Sequence, residues 1–284
     1  MPPCGEFIVK NNETSSLTGH QVKLTLSKLP TKHSGSTLNL GGRVQSTRFH
    51  DLAFVGQDGK ILPHQVIIHA DDSNLASPEC WVKIPFLPGS GQYRVRVYAG
   101  HPTTIRNDGD VCFELWDHFT ASMNTQKWIS ASGSFNGQYF SGGLGGIKKF
   151  PIGYSYIIYY KPYWTVGSTS GTECFGWWAA AGDTGSSGYY LSYESATYSN
   201  KFINYNGTDT TMISPSVSAI SNQFNRLEFI RTPTTAIFNV NGSFSGTLST
   251  GYPTVNLTIT GGQGLIDWIL IKKYTANEPT ITAQ

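Results

Sequence analysis

Two carboxylates in one cleft can hydrolyse a glycosidic bond, at about 5 Å apart for retention and about 6.5–9.5 Å for inversion. Glu114 and Asp117 are three residues apart, so an extended strand turns them to opposite faces. Glu228 and Asp267 fall in separate predicted strands beside aromatic residues, where they could meet across a sheet. No Glu-x-Asp-x-x-Glu run occurs, and no Gly-x-Ser-x-Gly elbow presents a serine nucleophile. Cys174, beside Phe175 and Trp177, reads as a buried strand residue. The carboxylates therefore read as solvated or capping groups, and the chain reads as not an enzyme.

Metal chemistry is weakly written. Seven histidines lie in the first 118 residues without an HxH or HExxH spacing, and the four cysteines include no CxxC pair. The cysteines Cys4, Cys80, Cys112 and Cys174 read as buried thiols, with two disulfides of unreadable pairing as the alternative. Calcium is the ion that loop carboxylates would suit. Its candidate ligands are Asp71 and Asp72 in one loop and Asn107, Asp108 and Asp110 in another. Asx turn capping explains the same residues. No other cofactor is expected.

Aromatic residues carry the positive signal. A pyranose stacks on a tryptophan or tyrosine held on a rigid surface, and such rings also serve protein contacts. The candidate glycan or partner contacts are Tyr163, Trp164, Trp177, Trp178, Tyr189 and Tyr190. Tyr154, Tyr156, Ile158 and Tyr160 share one face of a strand, with Ile157 and Tyr159 on the other. Rings therefore lie on both faces, and one face must be core. Trp177 and Trp178 point oppositely for the same reason.

These residues need β-structure to position them. Charged residues make up 13% of the chain, against about 25% in an average soluble domain. Glycine, serine, threonine and aromatic residues are abundant, a mix that favours short strands and tight polar turns. Alternating runs predict strands over Glu6–Lys10, His20–Leu26, Phe49–Val55, Ile61–His69, Trp81–Phe86 and Gln92–Ala99. Asp58-Gly59 predicts a hairpin between the third and fourth of these. About ten further strands follow residue 114, separated by glycine-polar turns that include Gly142-Gly143 and Gly261-Gly262, with Asn206-Gly207 and Asn241-Gly242 as hairpin turns.

The net charge of +2 makes nucleic acid a poor partner, and no run is long and apolar enough to enter a membrane. The opening MPPCGEFIVK holds no signal-peptide core, while the composition is polar and charge-poor like that of an exposed protein. A virion surface, or an extracellular or cell surface, reconciles the two.

Three stretches carry a resemblance. The opening FIVKNNETSSLTGHQVKLTL and the segment CWVKIPFLPGSGQYRVRVYAGHP resemble the domain-of-unknown-function family 2341. Tyr98-Ala99-Gly100-His101-Pro102 stands where that family has Tyr-Tyr-Gly-Asn-Pro. Trp116-Asp117-His118-Phe119 stands where it has Phe-Asp-Asp-Phe, with the second acid replaced. FNRLEFIRTPTTAIFNVNG and GLIDWILIKKYTANEPT resemble a concanavalin A-like (laminin-G-like) jelly roll. Together these cover roughly residues 6–275.

The resemblance implies an all-β protein. An antiparallel β-sandwich for docking and assembly is expected over residues 1–112, followed by an outward-facing concanavalin-like jelly roll over 113–284. It also implies a structural or attachment protein of a virion or cell surface, such as a capsid decoration, tail-fibre or adhesin protein. A lectin-like carbohydrate-binding module is the alternative. Expected partners are a scaffold protein or neighbouring subunits and a cell-surface glycan.

Overall fold

The computed structural model describes residues 3–27, 33–44, 49, 51–68, 78–100, 108–119, 124–135, 139–161, 174–178, 190–194, 201–205, 210–214, 216, 223–249, 258–261 and 264–284. In chain order the elements begin with β1 (Gly5–Lys10), β2 (Leu17–Ser27), β3 (Thr37–Asn39), β4 (Ala53–Gly56), β5 (His64–Ile67), β6 (Glu79–Leu87), β7 (Gln92–Tyr98) and the one-turn helix α1 (Gly109–Cys112). There follow β8 (Leu115–His118), β9 (Trp128–Phe135), β10 (Phe140–Gly146), β11 (Tyr154–Lys161), β12 (Cys174–Trp178), β13 (Tyr190–Glu194) and β14 (Lys201–Tyr205). The last are β15 (Thr210–Ile213), β16 (Asn225–Arg231), β17 (Thr235–Val240), β18 (Ser243–Ser249), β19 (Thr258–Gly261), β20 (Leu265–Lys273) and β21 (Thr280–Ala283). The chain is all-β, as its alternating runs dictate.

It divides into two compact units. The first is Met1–Leu115 together with Thr275–Gln284, and the second is Trp116–Tyr274. The expected division at 112/113 thus falls close by, but the expectation that the chain's end stays with the second domain is corrected. The last ten residues return to the first unit because β21 pairs with β1.

The first unit packs two four-stranded sheets, ordered β21-β1-β7-β4 and β3-β2-β6-β5. Alternate residues meet between them: Phe7, Val9, Val95 and Val97 from one, and Val22, Leu24, Val82 and Ile84 from the other, all buried. Each such side chain contributes about 1.5–3 kcal/mol on burial. The expected Asp58-Gly59 hairpin forms only its tip: Gly56 N donates to Lys60 O, and Val55 bridges Ile61. Beyond it β4 pairs with β7 and β5 with β6, so the chain changes sheets there. The turn at Pro88-Gly89 does the same between β6 and β7. A Cβ on Gly89 would stand 1.9 Å from Thr14 O, so only glycine fits that corner.

The second unit is one hydrogen-bonded path, β15-β14-β13-β12-β19-β10-β20-β11-β16-β17-β18, with β8 on β20 and β9 on β10. A sheet this long must fold over itself to bury a face. The ring of Phe202 from β14 stacks 3.9 Å from Phe238 of β17, and Trp177 of β12 lies 5.9 Å from Tyr156 of β11. The two halves therefore close into a jelly-roll sandwich around Tyr156, Trp177, Phe202, Phe229 and Phe238. Gly142 and Gly143, expected as a turn between strands, lie inside β10, where they pair with Gly133 and Ser132 of β9.

Candidate functional site

Residues of β11, β16 and β20 alternate between the core of the second unit and the opposite sheet face. Tyr156 and Ile158 pair with Phe229 and Leu227, and with Ile271 and Ile269, on the core side. Tyr159 pairs with Arg226 on one side and Trp268 on the other, so these three share the opposite face.

On that face the rings form a ladder. Trp268 stacks on Tyr159 with centroids 5.5 Å apart and planes 7° apart. Tyr159 stacks on Phe224 at 5.1 Å and 10°, and Phe224 meets Tyr139 at 5.1 Å. At the other end Trp116 of β8 stacks on Trp268 at 6.1 Å and 29°. Trp268 is buried between its neighbours, while Trp116, Tyr139, Tyr159 and Phe224 are each half-buried. Offset stacking at these separations is a favoured arrangement for aromatic pairs.

A β-bulge sets the polar end. Tyr159 pairs with Trp268 but Tyr160 with Ile266, which leaves Asp267 as the extra residue of β20. Bulges re-aim side chains in this way. The Asp267 carbonyl accepts from Phe119 N, and its carboxylate lies 3.0 Å from Nε2 of His118. The carboxylate side chain is 1% exposed and the imidazole 41%, so one partner is sunk and the other faces solvent beside Trp116. Lys127 Nζ donates to Trp116 O at 2.6 Å.

Glu228 is held differently. Its carboxylate accepts from Ser155 Oγ at 2.6 Å and from Asn239 Nδ2 at 3.0 Å. Burial pushes its carboxyl up, but the Lys272 and Arg226 charges and the two hydrogen bonds outweigh that and hold it below the ordinary value. Glu228 occupies the row of Ile157, and Asp267 lies beyond Trp268. The two acids therefore engage separate partners and are not drawn together.

The expected contact residues fare unequally. Trp177 is fully buried, and its indole N–H donates to Phe229 O at 3.1 Å. Its expected role as a surface contact is corrected, since its alternation turns it into the core. Trp178 and Tyr190 pair through their backbones in β12 and β13, but their side chains lie outside the described residues. Tyr163, Trp164 and Tyr189 also lie outside them, as do Asp71, Asp72 and Asn107. Asp108 is the N-cap of α1, accepting from the N–H groups of Asp110 and Val111, which is the turn-capping reading of that carboxylate. Asp110 stands in the first helical turn. Among the described residues no group of three or more His, Cys, Asp and Glu side chains could hold a metal.

Cys4, Cys80 and Cys112 are buried free thiols. Burial pushes each of them up, away from the thiolate form a nucleophile needs. Sequence reasoning found Tyr159 and its alternation but missed the ladder. Trp116, Phe224 and Tyr139 reach it from three separate parts of the chain, and only the sheet order brings them together. No helix among the described residues is long and apolar enough to cross a membrane.

The model of the family described as "Domain of unknown function (DUF2341)" matches residues 48–131, in line with the resemblance of the first half. No curated protein matches the chain. Solved structures similar to it include the metal-free carbohydrate recognition domain of Emp46p, at 10% identity and a TM-score of 0.44, over 56% of this chain and 95% of that one. A Bacillus licheniformis beta-glucanase is similar at 13% identity and 0.39, over 60% and 93%. A structure from work on endo-acting O-glycanases of the human gut microbiota is similar at 13% and 0.44, over 57% and 100%. The expectation that the chain is not an enzyme is therefore withdrawn: glucanases stand among its structural neighbours beside a carbohydrate recognition domain.

Proposed function

We propose that this is an attachment protein of a virion or cell surface, and that its second unit contacts carbohydrate along the ladder from Trp116 to Tyr139. The first unit would dock on a scaffold protein or a neighbouring subunit. The observation that carries the reading is the ladder itself. Four half-buried rings share one sheet face, locked by a buried fifth, with an imidazole at one end. Rigid rings lose little conformational entropy on meeting a sugar, and adjacent polar groups fix its orientation.

The charge around the ladder narrows the ligand. Arg226 sits directly across from Tyr159, and Lys161 follows two residues later on the same face. Lys127 and His118 stand at the Trp116 end. Among the nearby acids Asp267 is buried against His118, half-buried Glu228 accepts from Ser155 and Asn239, and half-buried Asp117 accepts from the Trp128 indole. A glycan carrying carboxylate or sulfate groups complements this face better than a neutral one.

The test is binding to a panel of acidic and neutral polysaccharides, comparing the protein with Trp116→Ala and Tyr159→Ala. Removal of one stacking ring should weaken binding about tenfold. The acidic ligands should bind more tightly, with an advantage that shrinks as salt is added. Assaying the same mixtures for released reducing ends separates binding from turnover. Equal binding by the variants, or no binding by the protein, would count against the reading.

A further inference from the structure

The last ten residues behave as a ligand of the first unit. Thr280 to Ala283 pair with Lys10 to Phe7, so β21 covers the edge of β1, which would otherwise present unpaired backbone groups. Ile281 and Ala283 pack against the buried core of that unit. Ahead of the strand, one carboxylate oxygen of Glu13 accepts from Thr275 Oγ1 at 2.8 Å and from Asn277 through N at 2.9 Å and Nδ2 at 3.2 Å. Asn12 Nδ2 donates to Glu278 O at 2.7 Å, and buried His20 meets the Glu278 carboxylate at 3.0 Å. At the far end Ala283 N donates to Gly35 O and Gln284 N to Glu6 O.

The segment is thus read by backbone pairing, two apolar side chains and a polar clasp, all within one unit. It joins the second unit at Tyr274–Thr275, where exchange would have to turn the chain. Tyr274 belongs to the second unit, where its N–H donates to Gly153 O, and Thr275 begins the return to the first. Nothing in the pairing requires that the strand come from the same molecule.

We propose that the groove beside β1 is a binding site for an extended C-terminal strand, and that the strand of a second copy of this chain occupies it when chains fold together at high concentration. Exchange preserves every contact of the site, so its free-energy cost lies in that turn of the chain and in lost translational freedom, and concentration offsets the latter.

Lys10 and Thr280 are exposed and directly paired, which allows a covalent readout. A Lys10→Cys chain and a Thr280→Cys chain would be refolded together at high concentration, oxidised, and run against the unsubstituted protein as a blank. Strand exchange predicts a covalent dimer from the chains refolded together, and none when the two chains are refolded apart while dilute and only then mixed. The doubly substituted chain refolded when dilute should cross-link within itself. Internal cross-linking in that chain with no dimer in the mixture would overturn the proposal, as would an equal dimer yield from chains refolded apart.

Discussion

A buried carboxylate is tolerated only where it is bonded, and Asp267 illustrates how one pair can fix a site. With its side chain 1% exposed, it shares a charge-assisted bond with the imidazole of His118. His118→Ala should destabilise the second unit by about 1–3 kcal/mol. His118→Ala combined with Asp267→Asn should recover part of that loss, because the amide does not carry the charge into the interior. Chemical denaturation of the two single variants and the double variant measures the coupling, and strict additivity would exclude it. Glu13 gives a pH signature. The Thr275 hydroxyl, then Asn277, holds its carboxyl below the ordinary value in the folded chain. A group depressed on folding contributes stability above its unfolded pKa and loses it as pH falls through the folded one. The Tm of the protein should therefore exceed that of Glu13→Gln at neutral pH, and the two should converge in acid. A constant gap across the acid range would show that the clasp is not what depresses Glu13.

Elements differ in how openly the sequence announces them. Gln92–Tyr98 was legible because it buries one face with the period of a strand, and Leu265–Lys273 because it is a mostly apolar run buried on both faces. Asn241-Gly242 was legible because its turn needs left-handed backbone, with φ of 51° and 79°. Gly242→Ala should cost about 1 kcal/mol by forcing a Cβ into that region, although open space surrounds it. An unchanged unfolding midpoint would mean that the turn relaxes. Pairing, by contrast, was not legible. Asp58-Gly59 looked like a hairpin turn, yet its flanking strands belong to different sheets. β21 is four residues of modest hydrophobicity, and its partner lies more than 260 positions away. Gly142 and Gly143 read as a turn because glycine lacks a side chain to show the period, but backbone pairing alone holds them in β10.

At the scale of the molecule, the chain nests one β-unit between the seventh strand and the last strand of another. The family resemblance in the first half and the jelly roll in the second were legible from motifs, while the closing return of the C terminus was not. The candidate site was half legible. Local alternation put Tyr159 on its own face, but the ladder needs β8, β11, β20 and the residue before β16 side by side. The proposed carbohydrate contact is this ladder with its basic rim. Isothermal titration of an acidic polysaccharide into the full-length protein and into Tyr159→Ala tests it most directly. The expected result is saturable binding that falls about tenfold in the variant and weakens with salt. Equal affinity for the two proteins, with the variant's fold intact, would contradict it.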